Sequence, residues 1–213
     1  MMSLNLVPFI FGIILAAESV LLSALFFSWL LPDTRIWPPD RVGGWRWCCT
    51  LVSMAIACAG ILVLVALSWR AVFEMSPARI VVGLTLAVFG RYTSFSGNRK
   101  LRLHMTFGGR ETVVMDGIYA ITRNPQYVGD VMALLGLLLL TNLPEAWVAI
   151  GLFCTWFLAA PFVEEPWLVQ QYGNMFREYA ARVPRFLTPR GLARLATFHI
   201  KNLIAASAPG DLS

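Results

Sequence analysis

Charge is what this chain lacks. Only 14% of its 213 residues are Asp, Glu, Lys or Arg, against about a quarter in soluble domains, which excludes an ordinary soluble core. Cysteine is sparse as well. Cys48, Cys49, Cys58 and Cys154 have neither framework nor ligand-like spacing, so they read as buried thiols, with no disulfide scaffold and no metal site. No internal repeat and no low-complexity segment is present. The first residues carry no basic cluster and no small-residue cleavage pattern, so the opening apolar stretch reads as a retained span, not a signal peptide.

What fills the space is long apolar sequence, 58% of all residues. Leu6 to Leu31 contains one charge, Glu18, and Trp45 to Trp69 contains one, Arg46. A run of about 20 apolar residues crosses a bilayer. Three shorter or more interrupted runs follow: Ile80 to Phe89, Tyr127 to Leu140 and Trp147 to Val163. The expectation is an all-α integral membrane protein with five transmembrane helices. Glu18, near the middle of the first span, is a functional hypothesis by default, although its depth favours a packing role.

Basic residues give an orientation. With five spans, the first loop, the third loop and the C-terminal tail share one side. Arg35, Arg41 and Arg46 lie in the first loop. Arg91, Arg99, Lys100, Arg102, Arg110 and Arg123 lie in the third, and Arg177, Arg182, Arg185, Arg190, Arg194 and Lys201 in the tail. Only Arg70 and Arg79 fall on the other side. The rich side is expected to be cytoplasmic, with the N-terminus outside. The pI near 9.3 is then a membrane-surface property, not a sign of nucleic-acid binding. Trp29, Trp37, Trp45, Trp47 and Trp167 read as one aromatic belt, Trp69 and Trp147 as the other.

The stretch "TRNPQYVGD", residues 122 to 130, stands at the mouth of the fourth span. Asn124 is a natural N-cap and Pro125 a natural first helical residue. A helix from Pro125 to Thr141 would be about 25 Å long, so its N-terminus lies slightly below the surface. Free backbone N–H groups there, with Arg123 adjacent, form an anion site. In "PFVEEPWLVQQYG", Glu164 and Glu165 close the fifth span, and Glu165-Pro166 is read as the helix stop. Two carboxylates at the negative end of a helix call for a cation. "TNLPEA" joins the two spans as a tight hairpin, so Arg123, Asn124 and Tyr127 approach Glu164 and Glu165. That cluster suits a zwitterion. Leu168, Tyr172, Met175, Phe176 and Tyr179 then recur at helical spacing, predicting an amphipathic surface helix; Leu192 to Ile204 predicts a second.

"GIYAITRNPQYVGD" and "VEEPWLVQQYGNMFREYAARVPRF" together resemble the membrane methyltransferases that include isoprenylcysteine carboxyl methyltransferase and the phospholipid N-methyltransferases. Gly117, Tyr119, Arg123, Asn124, Pro125, Tyr127, Gly129, Glu164, Glu165, Tyr172, Gly173, Tyr179, Arg182, Val183, Pro184 and Arg185 match the family pattern in order. The resemblance implies S-adenosylmethionine bound where the hairpin meets the cytosol, by Arg123, Asn124, Tyr127, Glu164, Glu165 and Tyr172. Arg182 and Arg185 are the expected acceptor contacts. It implies no metal. Asn124 stands where prenylcysteine methyltransferases commonly have His, and "VFGRYTSFSG" has no clear Gly-x-Gly of the phospholipid enzymes. The acceptor, an amphiphile, is therefore open.

Two other readings compete. Membrane sterol and enone reductases share a related hairpin ending in an acid, as at Asp130, but the Glu-Glu pair would repel the phosphates of NADPH. A non-enzymatic membrane protein would leave the polar cluster unexplained. The expected organisation is two N-terminal transmembrane helices over 1–75, a methyltransferase core over 76–189 and an amphipathic tail over 190–213.

Overall fold

The computed structural model describes residues 2–39, 43–68, 75–106 and 113–188. Five α-helices carry the fold among them: α1 (Met2–Leu30), α2 (Trp45–Leu67), α3 (Pro77–Thr106), α4 (Pro125–Leu139) and α5 (Pro144–Arg182). Short 3-10 turns stand at Pro32–Thr34 and Gly117–Ala120, and no described residue is in a strand. Four of the helices are long and apolar enough to cross a membrane; α4, with 15 residues, is the short one. The tail beyond Thr188, with the expected amphipathic stretch Leu192 to Ile204, lies outside the described residues.

Three expectations need correction. The third span is not confined to Ile80–Phe89. The helix continues to Thr106, so Arg91, Arg99, Lys100 and Arg102 are helical residues and not a loop. Charge interrupted the apolar run without interrupting the backbone. Likewise α5 does not stop at Pro166. Pro161 and Pro166 both lie inside it, because a proline removes one backbone bond but membrane helices tolerate that loss when neighbouring groups compensate. The break comes instead at Gly173, whose φ of 56° only glycine adopts without strain. The predicted surface helix is therefore a continuation of α5. After Gly173 it folds back, burying Phe176, Tyr179 and Val183 against Val113, Met115, Leu168 and Val169. Finally, Cys48, Cys49 and Cys58 are exposed on helix surfaces, and Cys154 is only half-buried, packed against the edge of the core.

The helices assemble as two pairs joined by α5. In the first pair α1 packs on α2, and both bury Ile14, Leu21, Leu25, Ala57, Ile61 and Leu64 against Ala146, Ala149, Ile150, Phe153 and Trp156 of α5. Glu18 is within this interface. It is 1% exposed, and neither carboxyl oxygen has a hydrogen-bond partner among the described residues.

The second pair, α3 with α4, packs backbone on backbone. A Cβ at Gly90 would come within 2.4 Å of Ala133 N, and one at Gly129 within 2.4 Å of Ser94 N. Gly83, Gly90 and Gly97 recur every seventh residue and face Gly136, Gly129 and Pro125 in turn. Association in lipid draws on close van der Waals approach, which small residues permit.

The α4–α5 hairpin is as the sequence predicted, and its turn is anchored by Arg79. The guanidinium donates to Leu139 O at 2.8 Å and Thr141 O at 2.9 Å, satisfying carbonyls at the C-terminal end of α4. Ser68 and Thr141 share a hydrogen bond there at 3.0 Å. The opposite end of the bundle gathers the start of α4, the polar part of α5 and the loop after α1.

Candidate functional site

Asn124 and Pro125 start α4 as expected, with Val128 N donating to Asn124 O at 3.0 Å. The Asn124 side chain does not cap the helix. Its Nδ2 donates to Arg185 O at 3.1 Å, and Thr122 Oγ1 donates to the same carbonyl at 2.9 Å. Arg123 N donates to Pro184 O at 3.0 Å. These bonds strap the Val183–Arg185 segment across the mouth of α4. The capping role was lost because the strap offers the amide a carbonyl that water would otherwise satisfy.

Arg123, Arg185 and Glu165 form a compact ion cluster. Glu165 accepts from Arg123 Nη2 at 3.0 Å, and Arg185 grips it through Nε and Nη2 at 2.8 and 2.5 Å. Such a two-point guanidinium–carboxylate contact fixes geometry as well as charge. Burial pulls the Arg123 guanidinium below its ordinary pKa, opposed by Glu165, whereas hydrogen bonding to Glu165 pushes Arg185 up. Arg185 also lies 3.9 Å over the Phe162 ring. Glu165 thus bridges two cations, and the cluster keeps one net positive charge.

Its neighbour Glu164 points elsewhere. Trp37 Nε1 donates to Glu164 Oε1 at 2.6 Å, and Tyr127 OH donates to the same oxygen. Both helices of the hairpin and the first loop therefore meet at one carboxylate. Behind it Tyr127, Trp156 and Phe157 pack edge to face, and Trp37 packs on Trp156 at 5.2 Å.

These groups line a cavity of about 460 Å³, within the range of small-molecule sites. Arg123, Asn124, Tyr127, Glu164 and Tyr172 of the sequence-predicted set are in its wall. Glu165, Arg182 and Arg185 are not; Glu165 and Arg185 face each other, and Arg182 donates to Glu178 O within its own helix. The wall also holds Trp37, Met54, Asn98, Tyr119, Gln126, Asp130, Trp156 and Phe157. Trp37 was read as an interfacial belt residue, and nothing local in "IWPPD" reveals its contact with a helix 127 positions away. Trp156 had a signal: a tryptophan in mid-span cannot belong to a belt.

Two buried donors on this wall, Arg123 Nε and Trp156 Nε1, have no partner among the described residues. Tyr119 OH meets Gln126 Oε1 at 2.9 Å, and Tyr179 OH donates to Tyr119 O at 2.7 Å, bracing the cavity roof. Among the described residues no group of His, Cys, Asp and Glu is arranged to hold a metal ion.

Residues 78–175 match the family model described as phospholipid methyltransferase. The matched segment runs from the start of α3 through the Gly173 kink and so contains most of the cavity wall. Neither the curated proteins nor the solved structures give a significant match.

Proposed function

We propose, from the match of residues 78–175 to the phospholipid methyltransferase family model, that the cavity binds S-adenosylmethionine and transfers its methyl group to a membrane amphiphile. The observation that carries this reading is the anchored Glu164 carboxylate on the same aromatic wall as Arg123.

The residues fit the cofactor. Its carboxylate needs a donor, and Arg123 Nε is buried in the wall without a partner among the described residues. Its ammonium or ribose hydroxyls need an acceptor, and Glu164 is held by Trp37 and Tyr127 through one oxygen only. Its sulfonium is stabilised against aromatic faces, here Trp37, Tyr127, Trp156, Phe157 and Tyr172. The bound cofactor would supply a methyl group on positively charged sulfur. The chain's own contribution is to align and to desolvate, which an in-line displacement at carbon needs more than a strong base. Glu165 holds Arg123 in place from behind, with Arg185 as its second partner. Arg182 and Arg185 stand outside the cavity wall.

The positive-inside rule puts the Arg123 end of the bundle at the cytoplasm, where the cofactor is soluble. Calorimetric titration of the detergent-purified protein with S-adenosylhomocysteine and, separately, NADPH tests the proposal. Saturable binding of the first alone supports it; binding of NADPH alone overturns it.

A further inference from the structure

Past Gly173 the chain becomes a separate piece of the cavity wall. Gly173 has φ 56° and ψ −130°, a state closed to residues with a Cβ, yet a Cβ there would have nothing within 4 Å. Glycine stands at this position for the bend and not for want of room. The residues beyond it stay out of the main core. Phe176, Tyr179 and Val183 form a small buried cluster of their own, and Tyr172, Phe176 and Tyr179 line the cavity. A bend at one end with a self-contained apolar cluster behind it has the anatomy of a hinged lid.

Two kinds of contact tie down the far end. Neutral hydrogen bonds are the first: Tyr179 OH donates to Tyr119 O at 2.7 Å, Arg123 N donates to Pro184 O at 3.0 Å, and Thr122 and Asn124 both donate to Arg185 O. The second is the two-point grip of Arg185 on Glu165. This one is shared with the cavity, because Glu165 also accepts from Arg123 at 3.0 Å and Arg123 belongs to the wall. Two guanidiniums therefore draw on one carboxylate. Their side chains are 11% and 28% exposed, so water screens neither fully. Arg123 also keeps a buried Nε with no partner among the described residues.

We propose that residues 174–185 are a lid hinged at Gly173, and that its latch, Arg185 on Glu165, tightens when a carboxylate enters the cavity and engages Arg123. Without a ligand the cluster holds two positive charges and one negative, and Glu165 is divided between them. A ligand carboxylate makes the count two and two. Arg123 then pairs with the ligand, Glu165 is left to Arg185, and the repulsion between the two guanidiniums is screened by the added charge. The neutral bonds of the strap carry no such dependence. The ligand thus closes the lid that covers it, which is a coupling between two separate contacts of one acid. Closure then excludes water from around the bound ligand.

This inference rests on the proposed cofactor site, but one arm of its test needs no ligand. Hydrogen exchange of the full chain in detergent, read by mass spectrometry, reports how readily the backbone of 174–182 opens. Amides of α4 serve as the reference that a general loss of stability would also move. Arg123→Gln leaves Glu165 and Arg185 as a neutral pair and keeps the backbone bond to Pro184 O. Its lid should exchange about fivefold to tenfold more slowly than wild type with nothing added. Arg185→Gln leaves the other neutral pair, and its lid should exchange faster by a similar factor. S-adenosylhomocysteine at saturation should slow the wild-type lid as Arg123→Gln does, whereas 5′-methylthioadenosine, the same nucleoside without the amino-acid group, should not. A lid in Arg123→Gln no slower than wild type, or equal slowing by the two nucleosides, overturns the latch. A slow lid in Arg123→Gln with no binding of S-adenosylhomocysteine to wild type would instead overturn the cofactor reading alone.

Discussion

Trp37 and Glu164 are 127 positions apart and share a 2.6 Å hydrogen bond. The loop after α1 is thereby drawn over the end of α5, and one indole becomes both wall and clamp of the cavity. Without it Glu164 would keep only Tyr127 as a positioning donor.

Trp37→Phe keeps most of the ring packing against Trp156 and removes that donor. S-adenosylhomocysteine affinity should fall about fivefold to tenfold, since a hydrogen bond to a charged group contributes about 1–1.5 kcal/mol at a partly exposed site. The thermal midpoint should hardly move. Calorimetric titration against a melting curve reads both, and a collapse in stability with affinity preserved would assign Trp37 to packing alone.

Glu165 has a different task, and its variant should fail differently. Glu165→Gln leaves Arg123 and Arg185 facing each other with side chains 11% and 28% exposed. Breaking a buried ion cluster by removing one partner is strongly destabilising; with this residual exposure the expected loss is about 2 kcal/mol. Chemical unfolding in detergent measures it. A stability equal to wild type would mean that the strap of Val183–Arg185 is held by Thr122 and Asn124 without help.

The α3–α4 contact yields a sharp comparison between two glycines. Gly90→Ala places a methyl group 2.4 Å from backbone nitrogen, which cannot move aside, and should cost about 1–3 kcal/mol or more. Gly151→Ala has nothing within 4 Å and should be neutral or stabilising by up to about 1 kcal/mol through helix propensity. Melting curves of both variants decide; equal midpoints would contradict the close backbone packing.

How much of this was legible in the sequence follows from the range of the interactions. The Asn-Pro start of α4 and the short turn after Leu139 are local, and the hairpin they specify delivers Arg123, Tyr127 and Glu164 to one place. Glu165 and Arg123 do meet, but as partners of each other and of Arg185, because two arginines compete for the one acid. Pro166 misled because a rule about isolated helices was applied where tertiary packing continues the helix; the true break needed the positive φ of Gly173. The role of Trp37, and the Arg91–Asp130 pair between two helices that both read as apolar, depend on which faces meet. Periodicity in one helix does not carry that information.

In the proposed function Glu164, held by Trp37 and Tyr127, supplies the negative charge that a zwitterionic cofactor requires. Glu164→Gln keeps an acceptor for both donors and removes only the charge. Titration of this variant with S-adenosylhomocysteine, alongside wild type of equal thermal midpoint, is the direct measurement. Its affinity should be at least about tenfold weaker; an affinity equal to wild type would show that the Glu164 charge takes no part in binding.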